Sequence, residues 1–508
     1  MSALAVRLAD LIWLVPALPL AAAALTGARV LLGRARGDAA EPLTARLGEL
    51  AALAGLALLL GIDALAIAGD APGHRVLAVW LPAAEWEGTL SFMLDGLALA
   101  TATMTALVGW LAMRFSAAYL HREPGFHRFF IVLGVFLAGI QLVFLSGNGL
   151  LAFVGWEMCG AASFLLIAYA WQRPVAGANA LFAFAANRIG DAGFLVGLGF
   201  AAAWLGSLEW PAIAGGSVIP TVTARLLAIG FVVAALAKSA QLPFTPWIAR
   251  ALEGPTPSSA IFYGSIMVHA GVFLLIRLSP LLAQVPDIMA GIVVAGVATA
   301  LYAWLVGLVQ TDVKSALVFA TVFQVGLMFV EVGLGWTTLA TIHLCLHAAW
   351  RAWQFLSAPS WLILTEGPPK PAPSWLRRHQ WLYTAALQRF WLDRMAFALL
   401  ATPTAGFAKD VRGLESHFVD RALGEPGRGD ALVAERPLVS GDGVAGRALA
   451  HAAESLQRLE LRLSLRGRGG ASERLLRRAG QWLGVLEEML EQPRYLMMAV
   501  MATFVVIL

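Results

Sequence analysis

Eleven stretches of about 20 predominantly apolar residues fill the first 365 positions of this chain, and no other feature limits its possible folds as tightly. They run over roughly 11–33, 49–69, 90–113, 128–146, 149–171, 180–205, 223–243, 257–279, 287–309, 314–334 and 337–364. A twelfth begins near 495 and runs to Leu508. Each is long enough to cross a bilayer as a helix, where the backbone must satisfy its own hydrogen bonds. The expectation is an all-α, polytopic membrane protein with about 12 transmembrane helices. The first stretch is too long, and the loop after it too basic, for a cleaved signal peptide. The alternation over about 10 residues that marks barrel strands is not seen.

The charges are distributed to match. Residues 1–365 carry 17 basic and 17 acidic side chains, whereas the much shorter 366–508 carries 19 and 15. The chain therefore changes material near residue 366, from membrane-embedded to mostly water-exposed. Its basic residues are spread through loops and tail instead of forming one strip interleaved with aromatics, so no nucleic acid partner is expected. A pI near 9.3 fits contact with a lipid surface. Cys159 and Cys345 both lie in apolar stretches and supply neither a disulfide framework nor a metal knuckle.

Arg and Lys in short loops set the orientation. One set of loops holds Arg34, Arg36, Arg46, Arg114, Arg122, Arg128, Arg173, Arg250 and Lys314, continuing into Lys370, Arg377 and Arg378. The other holds only Arg7, Arg75, Arg225 and Arg277. The richer side is expected in the cytoplasm, which puts the N-terminus in the periplasm and the 366–493 tail inside, in a bacterial inner membrane. Residues 376–400 space apolar and charged residues as an interfacial helix would. A Gly-, Arg- and Asp-rich linker follows to about 446, then helical patterns over 448–465 and 473–490, whose mixed charges suit a solvated face or a docking surface.

Ionisable groups inside spanning segments are costly, and are functional candidates for that reason. The short list comprises Glu157, Arg188, Asp191, Lys238, His269, His343, His347 and Arg351. Lysine is otherwise scarce, with Lys238, Lys314, Lys370 and Lys409 the full set, so a lysine in FVVAALAKSAQLPF stands out. A buried Glu157/Lys238 pair can exchange protonation states when their separation or water access changes; it can also simply tie helices together. Pro243, five residues after Lys238, cannot donate to the carbonyl of residue 239, and broken helices of this kind mark ion sites in transporters. Arg188 and Asp191, three apart, read as an intrahelical ion pair or as tuning charges. His343, His347 and Arg351 recur every four residues on one helix face. A proton or water wire, a metal site and plain packing all fit that spacing, although Leu344 stands where an HExxH motif needs glutamate. His269 reads equally as a pathway residue or a satisfied core histidine.

The runs GWEMCGAASFLLIAY, NRIGD, AKSAQLPFTPWIARALEGPTPSSA, VQTDVKSAL and HLCLHAAWRAWQFL, in order over about 90–360, resemble the antiporter-like subunit family shared by complex I and multisubunit cation/proton antiporters. The likeness is strongest to the largest complex I member. It implies that Glu157, Lys238, His343 and His347 belong to a hydrated polar axis along which protons move, with Arg188 and Asp191 as a neighbouring pair. Three departures bear on this. Tyr263 stands where the family often has histidine, with His269 six residues later. Arg351 replaces a lysine and cannot deprotonate at working pH. The second of two inverted five-helix repeats stops after three helices, without a second central lysine.

The implied organisation is N-terminal helices over 1–127, a first five-helix repeat over 128–279, a truncated second repeat over 287–365, an amphipathic lateral helix over 366–412, a charged cytoplasmic tail over 413–493 and an anchor over 494–508. A shortened member of this kind resembles the membrane subunit of DAB-type inorganic-carbon uptake systems. That resemblance implies a cytoplasmic partner of the DabA type, a zinc protein similar to β-carbonic anhydrases, with flow of protons or Na+ energising CO2 hydration to bicarbonate there. This chain itself is then no enzyme and carries no cofactor, the zinc residing in the partner. Two other functions fit the sequence: a proton-pumping subunit of a complex I or membrane-bound hydrogenase type, and a non-conducting membrane scaffold.

Overall fold

The computed structural model describes residues 3–82, 86–215, 219–364, 371–396 and 398. Two N-terminal helices, α1 (Ala3–Asp10) and α2 (Leu14–Leu31), lead to α3 (Glu41–Ile67) and a two-stranded antiparallel hairpin, β1 (Gly73–Pro82) and β2 (Glu87–Leu94). Then come α4 (Gly96–Tyr119), α5 (Phe126–Leu145), α6 (Gly149–Ile167), α7 (Pro174–Leu205), a short α8 (Trp210–Ala214) and α9 (Thr221–Lys238). After short helices α10 (Pro246–Arg250) and α11 (Thr256–Ser259), a π-helical turn over Ala260–Ser265 precedes α12 (His269–Arg277) and α13 (Ser279–Leu282). Long helices α14 (Pro286–Gly307), α15 (Val313–Gly333) and α16 (Thr337–Leu364) follow, then α17 (Ser374–Arg378), α18 (Gln380–Leu387) and α19 (Leu392–Ala396).

Among the described residues, nine helical stretches are long and apolar enough to cross a membrane. The other two expected spans are α16, which is helical over 28 residues, and the 257–279 stretch, which is not one helix. There the π turn ends at Ile266 (φ −133°, ψ −60°) and α12 starts afresh at His269. Turns of this kind interrupt the regular ladder and occur at functional sites.

Local chemistry explains the boundaries. Asp95, Asn148 and Asp312 cap α4, α6 and α15, accepting from the N–H groups of Ala98 (2.9 Å), Leu151 (2.7 Å) and Ser315 (2.8 Å). Pro sits in the first turn of α3, α7 and α14. The hairpin was not foreseen in the sequence. It claims 87–94, so the third span begins at Gly96 and not at 90. Ser91 accepts from Gly147 N–H at 2.7 Å, which seats the hairpin on the start of α6.

Helix crossings are close where both partners lack a side chain. A Cβ on Gly193 of α7 would lie 2.8 Å from the Gly230 carbonyl of α9, and one on Gly230 would lie 2.7 Å from the Gly193 carbonyl. Small residues at facing positions let membrane helices approach backbone to backbone. This crossing brings the polar residues of α7 and α9 into one layer with α6.

The lateral segment is broken where one amphipathic helix was expected. Arg389, Phe390 and Trp391 take left-handed φ values of 50°, 55° and 56°, which separate α18 from α19. Leu376 and Ala386 bury against Val309, and Trp375 stacks on Trp304 at 5.7 Å, so this segment covers the C-terminal end of α14. The rest of the lateral region to 412, the tail patterns over 448–465 and 473–490, and the terminal apolar stretch lie outside the described residues.

Candidate functional site

Two polar nodes lie inside the helical layer. The first is built by α6, α7 and α9. Arg188 Nη1 donates to Glu157 Oε2, and its Nη2 lies 2.7 Å from Asp191 Oδ2, so one guanidinium serves two carboxylates. Asp191, 3% exposed, also accepts the indole N–H of Trp156 at 2.7 Å. Lys238 is 1% exposed and is the last residue of α9. Its Nζ donates to the Trp156 carbonyl at 3.1 Å and lies 4.7 Å from the centre of the Trp156 ring.

Glu157 and Lys238 therefore do not form the direct pair expected from sequence. Among the described residues no carboxylate lies within 4.0 Å of Lys238 Nζ, and Glu157 is bound to Arg188 instead. Trp156 is the intermediary, holding Lys238 by its carbonyl and ring and Asp191 by its N–H. Gly160, one turn along α6, keeps this space open: a Cβ there would lie 2.8 Å from Arg188 Nη2 and 3.8 Å from Lys238 Nζ. Glu157 Oε1 is buried without a hydrogen-bond partner among the described residues.

The second node is built by α12, α15 and α16. His269 Nε2 and His347 Nδ1 lie 3.0 Å apart. Arg351 Nε donates toward His347 Nε2 at 3.4 Å and its Nη1 to Gln354 Oε1 at 2.8 Å. His343, one turn before His347, contacts Glu331 Oε1 through Nδ1 at 2.8 Å and Gln324 Oε1 through Nε2 at 3.0 Å. The side chain of Tyr263 lies outside the described residues.

The nodes meet where two helices break. α9 ends at Lys238, in keeping with Pro243 downstream, and α12 begins at His269. The residue after Lys238 and the residue before His269 are joined, since Ser239 Oγ donates to the Val268 carbonyl at 2.7 Å. Gly271 permits the approach: a Cβ there would run into Ser239 Oγ and the Ala235 carbonyl.

The ionisable residues singled out in the sequence whose side chains are described thus fall into these two nodes. Trp156, Gly160, Gln324, Glu331 and Gln354 escaped the sequence reading. Gln324 and Glu331 had a usable signal, because they are seven apart in an otherwise apolar run and so share one helix face. Trp156 had none, since a tryptophan in an apolar helix reads as packing.

Residues 146–407, just over half of the 508, match the family model described as NADH:quinone oxidoreductase/Mrp antiporter, TM. Residues 80–130 match that of NADH-Ubiquinone oxidoreductase (complex I), chain 5 N-terminus. The chain is 36% identical over 358 residues to NADH-quinone oxidoreductase subunit L of Mycobacterium tuberculosis, covering 68% of this chain and 54% of that protein. It is 37% identical over 289 residues to NADH-ubiquinone oxidoreductase chain 5 of Dugong dugon, covering 55% and 46%. The chain spans about half the length of the curated relatives it matches. Among solved structures, the Mrp complex from Dietzia sp. DQ12-45-1b aligns with TM-score 0.58 and 27% identity, over 68% of this chain and 37% of that one. The membrane-bound sulfane sulfur reductase, an archaeal respiratory membrane complex, shares the fold with TM-score 0.60 and 18% identity, over 71% and 73%. The polar layer and these likenesses agree: the chain is a multi-pass membrane protein and belongs to the NADH:quinone oxidoreductase/Mrp antiporter transmembrane family.

Proposed function

We propose that this chain is a proton-conducting subunit of a larger membrane complex, and that Glu157, Lys238, His269, His347 and His343 relay the proton. The observation that carries the reading is the junction of two buried polar nodes at two helix breaks, where Ser239 and Val268 lie between Lys238 and His269. Ionisable groups are retained at such depth against a cost of a few kcal/mol each when they serve transport. Arg188 holds Glu157 and Asp191 in place. Among the described residues no carboxylate lies within ion-pair distance of Lys238, so its proton leaves through a bridging water or a rotation of the side chain. Arg351, permanently charged, donates to His347 and leaves the Nδ1 side of that ring for exchange with His269. The Arg-rich loops face the cytoplasm in this reading, and the hairpin faces the periplasm.

The proton current is assigned to inorganic-carbon accumulation, with hydration of CO2 in a cytoplasmic zinc protein of the DabA type. What supports this is the lysine inventory: the described residues include two lysines, Lys238 and Lys314, and of these Lys238 alone is fully buried. The alternative, a proton-pumping subunit of a complex I or membrane-bound hydrogenase type, draws on relatives named as quinone oxidoreductase subunits.

Full-length chain in liposomes under an imposed potential is expected to carry protons, read with an internal pH dye. Lys238→Ala is expected to fall to the level of protein-free liposomes while assembling normally. A wild-type chain that carries none is a scaffold, and the conduction reading fails. Tagged chain purified from its own cells is expected to bring down a zinc-containing protein, whereas quinone-reductase subunits in its place would favour the alternative.

A further inference from the structure

We infer that Glu331 and His343 share one exchangeable proton and that Glu331 is the terminal exchange group of the histidine row, on the hairpin side of the membrane domain. The inference rests on the conduction reading above.

The hydrogen bonds themselves require the shared proton. His343 Nδ1 lies 2.8 Å from Glu331 Oε1. A carboxylate oxygen and a bare imidazole nitrogen both only accept, so the contact holds only with a proton between them, carried by the ring or by the carboxyl. On its other side the ring meets the Gln324 side-chain amide through Nε2 at 3.0 Å. The second oxygen, Glu331 Oε2, is buried without a hydrogen-bond partner among the described residues and can take part in exchange.

Position adds the direction. Glu331 is two residues from the end of α15, the end that leads by a short loop into the start of α16. His343 lies roughly 9 Å along α16 from Thr337. Side-chain exposure is 21% for His343 and 14% for Glu331, while His347 is 7% exposed and His269 0%. The row is thus closed at His269 and His347 and partly open at its His343/Glu331 end. The rings of His343 and His347 are 6.2 Å apart between centres, a step spanned by ring rotation or one water. A carboxylate here gives the row an outlet that does not depend on a second central lysine.

Dicyclohexylcarbodiimide modifies protonated carboxyls in apolar surroundings. Applied to the full-length chain in its native membranes, with sites located by mass spectrometry, it is expected to modify Glu331. In liposomes, Glu331→Gln keeps the shape of the side chain but cannot take up a proton, and is expected to lower proton flux about tenfold or more with an unchanged melting temperature in detergent. An unmodified Glu331, or Glu331→Gln conducting like wild type while Lys238→Ala does not, overturns the inference and leaves the conduction reading standing. A wild-type chain without flux overturns both. If Glu331→Gln also melts early, the double variant Glu331→Leu/His343→Leu decides: recovered stability without flux supports the inference, and recovered flux overturns it.

Discussion

Arg188 answers to Glu157 across helices and to Asp191 along its own helix, and both contacts depend on Gly160 contributing no side chain at the point where the guanidinium lies. Gly160→Ala places a methyl 2.8 Å from Nη2, too close to coexist with the present geometry. Arg188 Nη2 must shift, which disturbs its contacts with Glu157 and Asp191. The expected outcome is a proton flux reduced about tenfold or more in liposomes, in a chain that still assembles, because misplacing a charged group by about 1 Å suffices for such a loss. Flux equal to wild type would show that Arg188 is not part of the path. At this scale sequence reading located the charged residues and missed their intermediaries. Glu157, Lys238 and the histidines announce themselves through the cost of burying charge, whereas Trp156 acts through a backbone carbonyl, a ring face and an indole N–H that any apolar helix could contain.

Among the elements, the breaks matter more than the spans. α9 stops at Lys238, and the 257–279 stretch divides into a π turn and α12, so that two polar residues sit at helix ends where backbone groups are unsatisfied by the helix itself. The first break is legible in Pro243. The second is not, because IFYGSIMVHAGVFLL has the composition of an ordinary span; the interrupted segment packs against α4 and α16. The other end of α12 is pinned by Arg277, 8% exposed, which binds both oxygens of Asp95 at the cap of α4. Asp95→Asn keeps a good capping residue but removes the charge. The guanidinium is then left largely buried without its carboxylate, at a cost of roughly 1–3 kcal/mol, and a lower melting temperature in detergent is expected. An unchanged melting temperature would mean that this ion pair does not hold α12 in place.

For the molecule as a whole, the alternation of long helices places the hairpin, Asp95, Glu209 and Arg277 on one side and Arg173, Arg250 and Lys314 on the other. With Cys159 and Cys345 replaced by alanine, a single cysteine at exposed Ala71 is expected to react with a membrane-impermeant maleimide in intact cells, and one at exposed Gln172 only after the membrane is opened. The reverse pattern would invert the orientation and make Glu331 a cytoplasmic port. By itself, the sequence determined that this chain spans the membrane many times, where most spans lie and which scarce charges are embedded, because the bilayer imposes length and polarity on each segment independently of its neighbours. Only the tertiary structure decided which of those charges meet. Partners such as Glu157 with Arg188, Lys238 with Trp156, His269 with His347 and Glu331 with His343 come from different helices, and their pairing depends on where backbones cross closely and where helices break.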